Sequence, residues 1–301
     1  MTTPATRPRG VDPLNTMMGV RVLDMSPAGT DLEAAIGPRF HDHRGQSGMA
    51  SVGVLADSAV AGAFYASLPP GHRTVVSQLT AAVAAPLPAT GLVTSRARTE
   101  HLDLDAGTGL SAGRVATDGV TAVRLLARSV IVTRAAQNEV HLAAGPTLVV
   151  PAPEPADPES LAGLDGRAVV TGIAAGTLPR GPLPGLIGLE VESVGETTVS
   201  ARFAPTPWMS NQIGSVQGGI LFAAAALTSG LNAQALTAVG QSYRLLDLKI
   251  DFIRSPAVDG PPIRVEAEVV RAGRRIVLIE TRLLDADGHL LARTGSSAQL
   301  E

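Results

Sequence analysis

The sequence contains no cysteine, and this absence excludes disulfides, thiolate catalysis and cysteine-ligated metal sites. Aromatic residues make up only 3% of its 301 residues, so a core must be built mainly from Ala, Val, Leu and Ile. No apolar run approaches the ~20 residues that a membrane-spanning helix needs. The N-terminal "MTTPATRPRGVDPLN" lacks the apolar centre of a secretory signal. These absences predict a cytoplasmic protein without a membrane span.

A strong charge of either sign is also missing, since the net charge is −3 and both signs are scattered along the chain. Nucleic-acid binding usually needs a basic stripe, and without one no nucleic-acid partner is expected. His41 and His43 flank Asp42, but a third ligand is lacking, and the six histidines show no HExxH spacing. We therefore expect neither a metal nor another cofactor.

Small and apolar residues are abundant, and they are arranged as an internal repeat. Residues 135–180 are rich in Pro, Asp and Gly and are predicted to be a linker between two segments, 1–134 and 181–301. Identical residues recur 169 positions apart without a gap. The pairs are Leu14 and Leu183, Gly19 and Gly188, Val22 and Val191, Pro38 and Pro207, Gly45 and Gly214, and Ala56 and Ala225.

The two segments also share an order of elements. An extended stretch leads through a Gly-containing loop into an apolar helix, "MASVGVLADSAVAGAFYASL" in one and "GGILFAAAALTSGLNAQAL" in the other. Four strand-like stretches follow, with hairpin turns at Asp118-Gly119 and Asp287-Gly288. A helix that is apolar on every side must be enclosed by other structure. The sequence thus predicts an α+β fold of two domains, each an antiparallel sheet wrapped round a central helix, which pair as an intramolecular pseudo-dimer.

A polar, Gly-rich loop precedes the second helix, and together they read "NQIGSVQGGIL" from Asn211. With the later stretches "DLKIDFIRSP", "AEVVRAGRR" and "LLDADGHLLARTGSS", this segment resembles the hotdog-fold acyl-CoA thioesterases of the PaaI-like branch. The first segment resembles them mainly through "VLADSAVAGA". The resemblance implies a tandem double-hotdog enzyme that hydrolyses a fatty or aryl acyl-CoA, with coenzyme A as part of the substrate. It also implies a homodimer of double hotdogs.

Each segment departs from the family pattern of Asn, Gly and His-Gly-Gly followed by an acid inside the helix. In the second, Gln217 replaces the His and Ala226 replaces the acid. In the first, Asp57 supplies the acid, but Met49 and Ala50 replace the two glycines. Asp42 and Gly48 stand at the Asn and His positions of that segment.

The family builds its site from the glycine loop of one subunit and the acid of the other. Carried onto this chain, that rule implies one complete composite site, made of Asp57 with Asn211, Gln217, Gly218 and Gly219. The other composite site pairs Ala226 with Gly48 and Met49 and lacks an acid. The two segments have thus lost complementary parts.

The predicted chemistry is thioester hydrolysis. Asp57 either activates a water as general base or attacks the carbonyl carbon itself. Backbone N–H groups of Gly218 and Gly219, at the start of the helix, are expected to stabilise the oxyanion. Gln217 and Asn211 are expected to orient the reacting groups. Three further expectations are a hydroxyl from Ser77 or Thr74 beside Asp57, CoA phosphate contacts from Arg274 and Arg275, and no metal.

Structural roles stand as alternatives for Asp57, the glycine loop and the arginine pair. Asp57 is alternatively a helix residue hydrogen-bonded to a strand, and Gly218 and Gly219 alternatively serve close packing. Asn211 is alternatively a loop or cap residue, Gln217 alternatively has a structural role because it replaces the family His, and the arginine pair alternatively lies in a solvated turn. Two other functions also remain open, a non-catalytic acyl-CoA or acyl-carrier binding protein and a hotdog hydratase or dehydratase.

Overall fold

The computed structural model describes residues 13–132 and 154–301. The first half contains helices α1 (Pro13–Met17) and α2 (Gly53–Ala66) and strands β1 (Val20–Ser26), β2 (Gly29–Ile36), β3 (Arg73–Val83), β4 (Gly91–Asp103), β5 (Thr108–Thr117) and β6 (Val120–Val132). The remainder contains helices α3 (Pro158–Leu161), α4 (Gly166–Ala174), α5 (Pro182–Ile187) and α6 (Gly218–Gln234) and strands β7 (Glu190–Val194), β8 (Thr198–Phe203), β9 (Tyr243–Phe252), β10 (Ile263–Ala272), β11 (Ile276–Leu284) and β12 (Leu290–Leu300).

The strands of the described residues form one twelve-stranded antiparallel sheet in the order β1-β2-β4-β5-β6-β3-β9-β12-β11-β10-β8-β7. The second six strands repeat the first six in reverse. At the centre β3 pairs with β9, and Thr80 lies opposite Lys249, the residue 169 positions further on. A two-fold pseudo-axis therefore passes through this pair and relates the two halves. The offset read from the sequence is confirmed by the pairing register.

Irregularities in the sheet follow the same offset. Leu23 is an extra, unpaired residue between β1 and β2, and Glu192 is its counterpart between β7 and β8. Ser77 bulges from β3 against β6, and Leu246 bulges from β9 against β12. Bulges at matching positions bend both half-sheets in the same way, so each half curls round its own helix.

Helices α2 and α6 are enclosed by the sheet, as their apolar composition predicts. They pack directly against each other where Gly53 meets Gly219, and a Cβ on Gly53 would lie 2.9 Å from the Gly219 carbonyl oxygen. Over 18 residues, Met49–Ala66 is long and apolar enough to cross a membrane, but 72% of it is buried within the protein. Such burial is typical of the core helix of a globular protein.

Two details differ from the expected order of elements. The first half begins with a β1–β2 hairpin, because Thr30, Leu32, Ala34 and Ile36 alternate inward and form a second strand. The predicted linker, as far as it is described, contains helices α3 and α4. Helix α4 packs against α6 and β7, so this part of the chain covers the second half. Residues 135–153 of the predicted linker lie outside the described residues.

Candidate active site

The two halves enclose a cavity of about 710 Å³. Asp57 reaches it from the middle of α2, and Asn211, Gln217 and Gly218 reach it from the loop and first turn of α6. The cavity therefore combines the acid of the first half with the glycine loop of the second. This is the pairing expected for the complete composite site.

Asp57 is a buried carboxyl with an unusual environment. Only 5% of the residue is exposed, and its Oδ1 atom has no hydrogen-bond partner among the described residues. Burial raises the pKa of this carboxyl to about 7, and the nearby Gly219 N–H offsets part of the increase. A carboxyl that titrates near neutral pH is suited to accepting a proton or attacking a carbonyl carbon.

The two glycines at the start of α6 have different surroundings. A Cβ on Gly218 would lie 3.1 Å from Asp57 Oδ1 and 3.1 Å from Phe252 Cζ, so only glycine leaves the carboxyl open to a ligand. A Cβ on Gly219 would lie 2.5 Å from Val54 Cα, against α2. Gly219 does not line the cavity, and its N–H donates to Gln217 Oε1 at 2.8 Å. Gly218 thus borders the cavity, whereas Gly219 permits the crossing of the helices.

Gln217 caps α6 with its side-chain oxygen and extends a polar chain along the cavity wall with its nitrogen. Its Nε2 donates to Ser58 Oγ at 3.3 Å, and that hydroxyl donates to Asn15 Oδ1 at 3.4 Å. Asn15 and Ser58 also line the cavity and were missed by the sequence interpretation. Ser58 follows Asp57 directly, which was the one available signal. Asn15 is brought in by α1 and carries no local motif.

Asn211 organises the loop in front of α6. Its Oδ1 accepts from the N–H groups of Ile213 at 3.0 Å and Ser215 at 3.1 Å, and its Nδ2 donates to Ser215 Oγ at 2.9 Å. These bonds engage both ends of the amide within its own loop.

The equivalent loop of the first half has the same construction. Asp42 Oδ1 accepts from the N–H groups of Arg44 at 2.8 Å and Gln46 at 3.1 Å. Each of these residues precedes its counterpart in the second half by 169 positions. The adjacent His43 is buried, which lowers its pKa to about 4.

The other predicted contacts are only partly brought together. Thr74 lines the cavity, but Asp57 receives no hydrogen bond from it or from Ser77 among the described residues. The Ser77 hydroxyl donates to the Arg128 carbonyl oxygen at 3.1 Å instead. Arg274 and Arg275 lie in the exposed turn between β10 and β11 and do not line the cavity.

Three cationic or titratable side chains that the sequence interpretation missed line the same cavity: His72, Arg73 and Arg254. Arg73 begins β3 and Arg254 follows β9, so the two central strands place positive charge beside the composite site. The sequence periodicity within either half does not indicate that the start of β3 and the end of β9 line the same cavity.

Potential metal ligands cluster at one place in the described residues. Asp285, Asp287 and His289 offer ligand atoms within 4.8 Å of one another in the turn between β11 and β12. None of the three lines the cavity that holds Asp57. The residues around Asp57 provide one carboxylate and amide groups, which suits acid–base chemistry at a carbonyl.

A known protein family matches part of the second half. The family model described as the acyl-CoA thioesterase N-terminal domain matches residues 204–297. No match was found among curated protein sequences. The resemblance of the second half to acyl-CoA thioesterases, predicted from the sequence, is confirmed over residues 204–297.

Several solved structures share the fold over nearly the whole chain. The tesB protein of Mycobacterium avium subspecies paratuberculosis is 10% identical, with a TM-score of 0.62 over 97% of this chain and 99% of that one. The acyl-CoA thioesterase II TesB2 of Mycobacterium marinum is 11% identical, with a TM-score of 0.57 and 96% of each chain covered. A conserved protein with a hotdog fold from Alicyclobacillus acidocaldarius is 12% identical, with a TM-score of 0.58 over 96% and 97%. At these identities the likeness establishes the fold of two hotdog domains.

Proposed function

We propose that this chain, whose residues 204–297 match an acyl-CoA thioesterase domain, hydrolyses fatty or aryl acyl-CoA at the single composite site between its halves. The observation that carries the proposal is the buried Asp57 carboxyl, which lies next to the Gly218 backbone in the wall of a cavity shared by both halves. Burying a carboxylate without a partner costs several kcal/mol, so a purely structural role gives no account of it.

In the proposed reaction the thioester carbonyl enters the cavity where Asp57 and the first turn of α6 meet. Gly218 is the first residue of α6, so its N–H has no acceptor within the helix and lies at the positive end of the helix dipole. This donor stabilises the oxygen as it becomes negative, which is typically worth roughly 3 kcal/mol. Gln217 fixes this turn by capping the Gly219 N–H.

Asp57 acts in its ionised form. As general base it takes a proton from water while the water oxygen bonds to the carbonyl carbon. As nucleophile its own oxygen forms that bond, and water then hydrolyses the anhydride. In both routes the C–S bond breaks, and the CoA sulfur leaves and gains a proton. Label in the Asp57 carboxyl after a single turnover in ¹⁸O-labelled water would identify the nucleophilic route, with water attacking the Asp57 carbon of the anhydride.

Arg73 and Arg254 are proposed to contact the CoA phosphates, replacing Arg274 and Arg275 in that role. Both line the cavity that holds Asp57. Guanidinium groups suit phosphate because they donate several hydrogen bonds in a fixed plane. We also propose PaaI-like substrates, a cytoplasmic location and a homodimer of double hotdogs, and these rest on the resemblance of "NQIGSVQGGIL" and the later stretches.

The test is release of free thiol from a panel of acyl-CoAs by the wild type, Asp57→Asn and Asp42→Asn. Asp57→Asn is expected to lower kcat/KM by at least about 100-fold, because acid–base groups typically contribute that much. Asp42→Asn removes a carboxyl from the equivalent half. Asparagine keeps the two backbone loop bonds, as Asn211 does, but loses the ion pair with Arg44, so activity per folded molecule should remain while stability falls. Full activity of Asp57→Asn would refute the composite site. Tight acyl-CoA binding by the wild type without thiol release would favour a non-catalytic binding protein instead.

A further inference from the structure

The two halves enclose a second cavity, of about 490 Å³, at the position related to the first by the pseudo-axis. It is lined by Ala226 and Met49, which stand 169 positions from Asp57 and Gly218. The acid is therefore replaced by a methyl group and the open glycine by a long apolar side chain. Although it has lost the predicted catalytic groups, this cavity has not filled in.

The second cavity has instead gained polar groups that the first lacks. Ser47 and Arg244 line it, and at the equivalent positions Val216 and Val75 line the first cavity. Ser47 Oγ and Arg244 Nε are both buried and have no hydrogen-bond partner among the described residues. An unpaired buried donor costs free energy unless a ligand or water satisfies it. At these two positions a hydroxyl and a guanidinium thus replace the valines of the first cavity, while Asp42 and Glu301 also line the second.

Two arginines line this cavity, and only Arg244 has a buried N–H group without a hydrogen-bond partner among the described residues. The Arg44 guanidinium is 2.7 Å from Asp42 in an ion pair and lies 3.8 Å above the Tyr243 ring. Arg244 holds the Glu301 carboxylate through Nη2 at 2.6 Å and leaves its buried Nε unpartnered. A second carboxylate oxygen is the acceptor that best matches this donor.

Apolar side chains line much of the remaining wall: Phe40, Val83, Leu87, Leu183, Leu227 and Leu245. We infer that the second cavity binds a carboxylic acid with an apolar tail, its carboxylate held by Arg244 and Ser47, and does not transform it. Because Ala226 offers no base or nucleophile, the ligand is retained unchanged. The same ligand class includes the acid product of the proposed hydrolysis, but the inference depends only on the groups that line this cavity.

The test measures binding of octanoate, palmitate and phenylacetate by calorimetry to the wild type, Arg244→Gln and Arg254→Gln. Arg244→Gln should weaken one class of sites by about 10- to 100-fold, the usual effect of losing a charge-assisted hydrogen bond. The matched Arg254→Gln removes a cation from the first cavity and should leave that class unchanged. Octanol and hexadecanol, which lack a carboxylate, should bind both variants equally.

Two further measurements separate this inference from the proposed hydrolysis. Ser47→Ala should weaken the same class of sites, and Ala226→Leu should remove it by filling the cavity. Both variants should still release thiol from acyl-CoA. Equal acid affinity of the wild type and Arg244→Gln would overturn the inference. So would an equal loss of acid and alcohol binding in Arg244→Gln.

Discussion

The raised pKa of Asp57 makes a prediction about stability that requires no substrate. Burial raises the pKa from 3.8 to about 7, so the folded protein keeps a proton that the unfolded chain releases above about pH 4. The wild type should therefore lose stability as the pH rises from about 4 to about 7. One pKa unit corresponds to about 1.36 kcal/mol, so the full effect is about 4 kcal/mol.

Asp57→Asn removes this dependence, because an amide does not titrate in this range. The difference in free energy of unfolding, variant minus wild type, should grow by up to about 4 kcal/mol between pH 4.5 and pH 8. In thermal unfolding followed by circular dichroism, the variant should gain several degrees of Tm over the wild type at pH 8. At pH 4.5 most of that gain should disappear.

Asp251→Asn is a control in which the stability difference from the wild type should change with pH in the opposite direction. Burial by itself raises the pKa of Asp251, but hydrogen bonds from Gln78 and Arg293 and the charge of Lys249 outweigh it and lower the pKa. Its contribution is therefore present at neutral pH and lost on acidification, so this variant should be destabilised most at high pH. A constant difference between Asp57→Asn and the wild type across the range would refute the account of Asp57 as a buried, unpaired carboxyl.

Three further predictions concern the neighbours of Asp57. Gly218→Ala should fold and lose most thiol release, since its Cβ would lie 3.1 Å from Asp57 Oδ1; an active variant would contradict the open approach that glycine provides. Gly219→Ala should lower Tm strongly and reduce soluble yield, because its Cβ would meet α2 at 2.5 Å, and a normal Tm would contradict the helix crossing. Arg254→Gln should raise KM for acyl-CoA at low salt and leave kcat unchanged, whereas Arg274→Gln should change neither, which initial-rate kinetics at two ionic strengths would check.

Much of the fold was predictable because it depends on periodic and local signals. The apolar helices, the alternating strands and the turn at Asp118-Gly119 are each specified within a few residues, and Asp118 indeed has a positive φ of 48° in that turn. The β2 strand was missed because its alternation uses small residues such as Ala34 and polar ones such as Thr30. Helix α4 was missed because its surroundings are rich in Pro and Gly.

The candidate site was predictable as far as the repeat could indicate it. The offset of 169 residues placed Asp57 at the position of Ala226 and so identified which half had kept its acid. The offset could not show that the Asn211 amide is hydrogen-bonded within its own loop, because a sequence pattern does not identify hydrogen-bond partners. In the structure Asn211 and Asp42 make equivalent bonds.

Two similar halves, an antiparallel sheet round an apolar helix in each, and complementary departures from the predicted catalytic pattern all follow from the amino-acid sequence alone. The surroundings of each of these groups depend on the folded structure. Gly218 borders Asp57 whereas Gly219 packs on Val54, and this difference arises because contacts between helices depend on how the helices cross. The folded structure also shows that Arg244 and Ser47 line one cavity although they lie far apart in the chain, since folding sets the distance between residues that no local pattern connects.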